Sequence, residues 1–350
     1  MVSVMQSIAK LLGSCLFFNM LAQRLDTPVS VDKNPLTLVD IPIPEPGPGQ
    51  VRLRVRYCGV CHTDLHLAEG EIHPPSLPVV PGHQVVGVIE AVSPGVSIEV
   101  GQRVGVPWLH RTCGVCEFCL RGEQNLCPNA QFTGFHVDGG FAECMLADSR
   151  FVLPIPDEIK DDQAAPLLCA GIIGYRSLCK ADVTPGEYVG LVGFGASAHL
   201  AIQLARHWDC EVYVFTRSMQ HRRHAEELGA SWVGGIEDTP PHPLDRAVIF
   251  APSGRLVLQT LGKIRAGGTL AINAIHMSPI PEMPYAAIYG ERTLRSVANA
   301  TYQDGVELLK LAVEVPLRST LSLYHFNEVN QALQDLKASK INGEAVIHMV

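Results

Sequence analysis

Two groups of residues in this chain have types and spacing suited to chemistry. The first is a run of thiols, Cys113, Cys116, Cys119 and Cys127, in a C-x2-C-x2-C-x7-C pattern. Such a set can pair as disulfides, ligate an iron–sulfur cluster or close a tetrahedron around zinc. The chain has eleven cysteines, an odd number, and it clusters them rather than spreading them as a disulfide framework. Clustering favours metal ligation in a reducing compartment, so a cytoplasmic location is expected. The second group is dispersed. Cys61-His62-Thr63-Asp64-Leu65-His66 packs a thiol, two imidazoles, a hydroxyl and a carboxylate into one turn, Gly82-His83-Gln84 follows, and Cys169 lies far beyond in PLLCAGIIGY. Taken singly each has a structural explanation, because a buried cysteine or lone histidine more often packs than ligates.

A third signal concerns binding. Gly193-Phe194-Gly195-Ala196-Ser197-Ala198 is a G-x-G-x-x-A turn that follows an apolar run and opens an amphipathic stretch. The first glycine permits a tight turn, the second lets backbone approach a pyrophosphate, and the small third residue lets helix and strand pack closely. Backbone N–H groups at the helix start then face the anion. An NAD site places an acid about 20 residues on, where it bonds the ribose 2′-OH. Here Thr216-Arg217-Ser218 stands in that place, with Arg222 and Arg223 following. Hydroxyls and guanidinium suit a 2′-phosphate, so NADP is favoured over NAD.

These residues need elements to carry them. From Leu36 to about Leu153 the sequence is dense in glycine and proline, with short alternating runs such as VRLRVRYCGV, and reads as mostly β. After about Gly171, apolar runs alternate with helical segments such as HRRHAEELGA and RLVLQTLGKIRAG, which predicts a parallel sheet covered on both faces. HFNEVNQALQDLKASKINGEAVIHMV reads as a helix and closing strand returning to the first domain. The expected division is an extension over 1–19, a catalytic domain over 20–170 with a cysteine lobe at about 108–128, a dinucleotide domain over 171–299 and a return over 300–350. The apolar run from Ile8 to Ala22 is too short and too interrupted to span a bilayer.

At CGVCHTDLH, PGHQVVG, the four-cysteine lobe, PLLCAGI and GFGASA the chain resembles the zinc-containing alcohol dehydrogenases of the medium-chain dehydrogenase/reductase family, from about Met20 onward. The resemblance implies an α/β chain in which a GroES-like, mostly-β catalytic domain accompanies a Rossmann doubly wound parallel sheet. It implies two zinc ions per subunit. One is catalytic, held by Cys61, His83 and Cys169 with a fourth position open to water or substrate oxygen. The other is structural, closed by Cys113, Cys116, Cys119 and Cys127, whose last spacing argues against an iron–sulfur cluster. By the same likeness Thr63 takes the alcohol proton and passes it through the cofactor ribose to His66, His62 contacts the pyrophosphate, Asp64 orients His83, and Trp108 lines the substrate pocket. Gln84 departs from the pattern, since many relatives carry Glu after the ligand histidine and Gln cannot bear that charge.

The expected reaction is reversible hydride transfer between a primary or secondary alcohol and NAD(P)+. A cinnamyl-type aldehyde reductase is the alternative, and a non-catalytic dinucleotide-binding member of the same fold a further one. A formal charge of -8 argues against nucleic acid as a partner. The resemblance implies a homodimer or homotetramer. Cys15, Cys58, Cys144, Cys179 and Cys210 read as packing residues, and His221 and His224 as solvated positions on a polar helix face. His110, His136 and Tyr285 receive no role.

Overall fold

The computed structural model describes residues 19–349, so the expected N-terminal extension, including Cys15, lies outside the described residues except for Asn19. Strand β1 (Asn19–Leu25) pairs antiparallel with β2 (Leu36–Pro42). In β3 (Gln50–Val60) the alternation buries Val51, Leu53 and Val55 and leaves the intervening arginines nearer solvent, as a two-residue period requires. Helix α1 (His62–Glu69) follows directly. The chain continues through β4 (Gln84–Val92), β5 (Arg103–Val106), β6 (Leu109–Arg111), β7 (Gln131–Phe132), β8 (Cys144–Asp148) and β9 (Leu153–Pro154).

Helix α2 (Ile172–Lys180) begins the second region. The β-α alternation then runs β10 (Tyr188–Val192), α3 (Ala196–His207), β11 (Glu211–Phe215), α4 (Met219–Glu227), β12 (Trp232–Gly234), β13 (Leu244–Ile249), α5 (Arg255–Leu261), β14 (Ile264–Ile272) and β15 (Thr293–Ser296). These six strands form one parallel sheet ordered β12-β11-β10-β13-β14-β15. Counted along the chain this is 3-2-1-4-5-6, the dinucleotide-binding order, with its switch point at the end of β10. The segment RLVLQTLGKIRAG is only partly helical. Helix stops at Leu261, and Ile264 already belongs to β14, because Gly262 ends the helix and Ile264 is buried opposite Leu244.

Helix α6 (Tyr302–Glu314), β16 (Leu321–His325), α7 (Val329–Lys337) and β17 (Glu344–His348) complete the described chain. Strands β16 and β17 join the first sheet, ordered β16-β17-β3-β4-β5-β9, with β8 also pairing β3. Helix α6 is tied to α2 by Arg176 and Asp304 at 2.7 Å, both nearly buried. Asp304 also accepts from the backbone of Thr301, closing a capping box. Losing one partner of such a pair costs about 3–5 kcal/mol, because the other charge stays buried.

Candidate active site between the two sheets

A cleft of about 1040 Å³ lies between the sheets. One wall is made by the carboxyl ends of the parallel strands, where such sheets bind ligands. Gly193 directly follows β10 with φ of 91°, and a Cβ there would stand 3.0 Å from the Ala251 backbone nitrogen. Gly195 differs: a Cβ there would meet nothing within 4 Å, so its bare backbone opens onto the cleft at the start of α3. That is the cradle a pyrophosphate needs, and the residues fit a dinucleotide. Gly193, Gly195, Ala196 and Ser197 line the cleft, whereas Ala198 is wholly buried in the core. Thr216, Arg217 and Ser218 also line it, past the end of β11. Ser218 caps α4 by accepting from His221 N.

The opposite wall carries the sulfur and imidazole donors. Cys61 is the N-cap of α1: its Sγ accepts from Thr63 N, while Asp64 Oδ2 accepts from Cys61 N. Asp64 Oδ1 also accepts from Gly82 N and meets His83 Nδ1 at 3.2 Å, both side chains being buried. This contact fixes the tautomer and turns Nε2 toward Cys61 Sγ, 3.2 Å away. Cys169 arrives from a five-residue π-helical turn, Leu167–Gly171, just before α2. The donor atoms of Cys61, His83 and Cys169 all lie within 4.8 Å of one another. In a tetrahedral zinc site sulfur and nitrogen ligands stand about 3.6 Å apart, so the set fits zinc with one position open. A hydrogen bond that the Cys61 thiol donates to Cys169, together with burial, pushes Cys61 well up. Burial alone would lower His83, but Asp64 and Cys61 outweigh it and hold the ring well above the usual histidine range.

Thr63, His62 and His66 project from α1 into the same cleft. His66 Nδ1 contacts the Glu71 carboxylate. Trp108 stacks on Phe132 with centroids 5.1 Å apart and meets His83 edge-on at 4.7 Å, so the indole is held against the donor set. Away from the cleft, Cys113, Cys116, Cys119 and Cys127 form a second cluster within 4.8 Å. Their sulfurs stand 3.5 Å (Cys113–Cys127 and Cys116–Cys119) and 3.9 Å (Cys113–Cys119) apart, close to the edge of about 3.8 Å in a Zn–S4 tetrahedron.

The alcohol dehydrogenase GroES-like domain family matches residues 47–157. The chain is 42% identical to a probable alcohol dehydrogenase AdhA of Mycobacterium tuberculosis, over 94% of this chain and 97% of that one. It is 34% identical to an alcohol dehydrogenase of Geobacillus stearothermophilus, over 90% and 96%. Among solved structures, a cinnamyl alcohol dehydrogenase from Sorghum bicolor superposes with a TM-score of 0.86 at 27% identity, covering 95% of this chain and 98% of that one. The chain belongs to the zinc-binding alcohol dehydrogenases of the medium-chain dehydrogenase/reductase family. It is an oxidoreductase that interconverts alcohols and aldehydes with zinc and NAD(P).

Several sequence readings change in this dehydrogenase. Arg222 is turned to its own backbone, donating from Nε to Thr216 O, and Arg223 lines a separate small cavity, so among the three arginines Arg217 is the one lining the cleft. His224 is not solvated: it is buried against His199 and Phe194, and His221 lines the cleft. Cys179 is exposed rather than packed, whereas Cys58, Cys144 and Cys210 are buried. The carboxyl beside Gln84 comes from the last strand. Gln84 Nε2 donates to Glu344 Oε1 at 2.9 Å, and burial pushes Glu344 up to about 8. Sequence reasoning also missed Glu71 and His276, the latter just past the end of β14, where the strand-end rule points. No helix among the described residues is long and apolar enough to cross a membrane.

Proposed function

We propose that the dehydrogenase acts on primary alcohols and their aldehydes, that Cys61, His83 and Cys169 hold the reactive zinc, and that the four-cysteine lobe holds a second, structural one. The observation that carries this is the donor set of three against the set of four. Three donors leave a vacancy for chemistry, and four leave none. Bound zinc supplies Lewis-acid polarisation of the substrate oxygen while the nicotinamide exchanges hydride.

The remaining work falls to the chain. Asp64 keeps His83 in one tautomer. Thr63, two residues from Cys61, takes the hydroxyl proton, and His66 one turn later delivers it toward solvent. Backbone at Gly195 with His62 receives the pyrophosphate, and Thr216, Arg217 and Ser218 receive a 2′-phosphate. The indole of Trp108, stacked and fixed beside His83, narrows the pocket toward short substrates. The cinnamyl alcohol dehydrogenase among the similar structures favours a second reading, reduction of bulkier planar aldehydes. A cytoplasmic homodimer or homotetramer, with no nucleic-acid partner, completes the proposal.

Steady-state rates for short alcohols, their aldehydes and cinnamaldehyde with NADPH and NADH separate these readings. The expected result is higher kcat/KM with short aldehydes and NADPH. Arg217→Asp should reverse the coenzyme preference by roughly tenfold or more, since a carboxylate repels phosphate and accepts from a ribose hydroxyl. An unchanged preference removes the 2′-phosphate assignment.

A further inference from the structure

Alcohol oxidation yields carbonyl product, reduced coenzyme and one proton, and that proton must leave the cleft. Its carrier in the reading above is His66, and this inference rests on that reading. His66 is embedded in a group that no sequence motif announced. Its Nδ1 contacts the carboxylate of Glu71, which follows the Gly70 cap of α1. Its ring faces His276, on the loop after β14 in the parallel-sheet region, with centroids 5.9 Å apart and planes tilted by 54°. His276 lines the cleft and is exposed, so it touches both the cleft and solvent.

We infer that Glu71, His66 and His276 form a proton exit assembled across the two regions, with His276 as the residue that hands the proton to solvent. The Glu71 carboxylate accepts from Nδ1–H and so leaves Nε2 of neutral His66 as the basic ring atom. Nε2 gains the proton that leaves the substrate hydroxyl, and the hydride goes separately to the coenzyme. His66 then loses that proton to a ring nitrogen of His276, directly or through one water, a reach that the ring separation permits. His276 releases it to buffer, restoring both neutral rings. In carbonyl reduction the same path runs inward. Because α1 belongs to one sheet's domain and the β14 loop to the other, the exit exists only where both walls of the cleft meet.

The test is alcohol oxidation by the zinc-loaded enzyme with saturating coenzyme, at low and high concentrations of a buffer with pKa near 7. His276→Gln is expected to lower kcat at low buffer by roughly three- to tenfold, well below the hundredfold or more typical of a group acting in the transition state. High buffer should restore it, because buffer replaces a proton carrier but not a packing residue. His66→Gln should show a larger buffer-dependent loss, and His66→Gln/His276→Gln no further loss, since the two groups act in series. If His276→Gln matches the parent at low buffer, or its loss resists added buffer, while His66→Gln keeps a buffer-dependent loss, the exit through His276 is wrong and the relay reading stands. If His66→Gln itself shows no loss, the relay reading falls and this inference with it.

Discussion

The two donor clusters use the same atoms in opposite ways. The lobe draws four thiols from one short loop, and Val115 and Leu120 beside them are among the most exposed apolar side chains of the molecule. The cleft draws three donors from a helix cap, the residue before a central strand and a π-helical turn, around a histidine that is 1% exposed. A local set on an exposed loop has little packing to hold it, so a bound metal would be what orders it. A set mounted on buried elements is held by the core whether or not the ion is present. A metal in the lobe would therefore serve to order it, whereas the cleft orders its donors before any metal arrives.

The sharpest way to break this contrast is Cys61→Ser. Serine is itself a good N-cap, so α1 should persist, while turnover should fall by about a thousandfold or more with loss of the polarising ion. Metal analysis and kcat together check it, and near-normal turnover would remove Cys61 from the donor set. In the lobe the reverse is expected. Cys127→Ser should lower the unfolding midpoint by roughly 5 °C or more and expose residues 108–132 to proteolysis, while coenzyme still binds. Calorimetry and limited proteolysis measure this, and an unshifted midpoint would mean that packing holds the lobe. The smallest effect tests the core beneath the cleft. His199 on α3 is buried with both ring nitrogens unpaired, and burial pulls its pKa from 6.5 down to about 4. Below pH 6.5 the unfolded chain takes up a proton that the folded chain refuses until about pH 4, so stability drains away as pH falls through that window. His199→Leu should therefore recover about 2 kcal/mol at pH 5 and almost nothing at pH 8. Urea unfolding at both pH values reads the difference.

Much of the site was legible because its signals are local. The cysteine spacing, the turn from Gly193 to Ala198 and the CHTDLH cap each lie within a few consecutive residues, and the β-α alternation gave the parallel sheet. What stayed hidden depends on distant packing. Arg222 and Arg223 look equivalent to Arg217 in the sequence, yet helical rotation turns one to the Thr216 carbonyl and the other to a different cavity. His224 sits on a helix of low apolarity and is buried because α3 presents His199 to it. Gln84 looked like a lost carboxylate, but its amide donates to Glu344 across 260 positions of sequence. His276 meets His66 only because the two regions close on one another.

The placement of β17 has a consequence for the reactive centre. This strand, the last described, is inserted between β16 and β3, directly beside the stretch that leads into Cys61. A chain that lacked β17 would leave that edge of β3 unpaired from Tyr57 to Val60, immediately before Cys61, and would take Glu344 from the Gln84 amide, so the donor pocket is built partly by a strand almost three hundred positions away along the sequence.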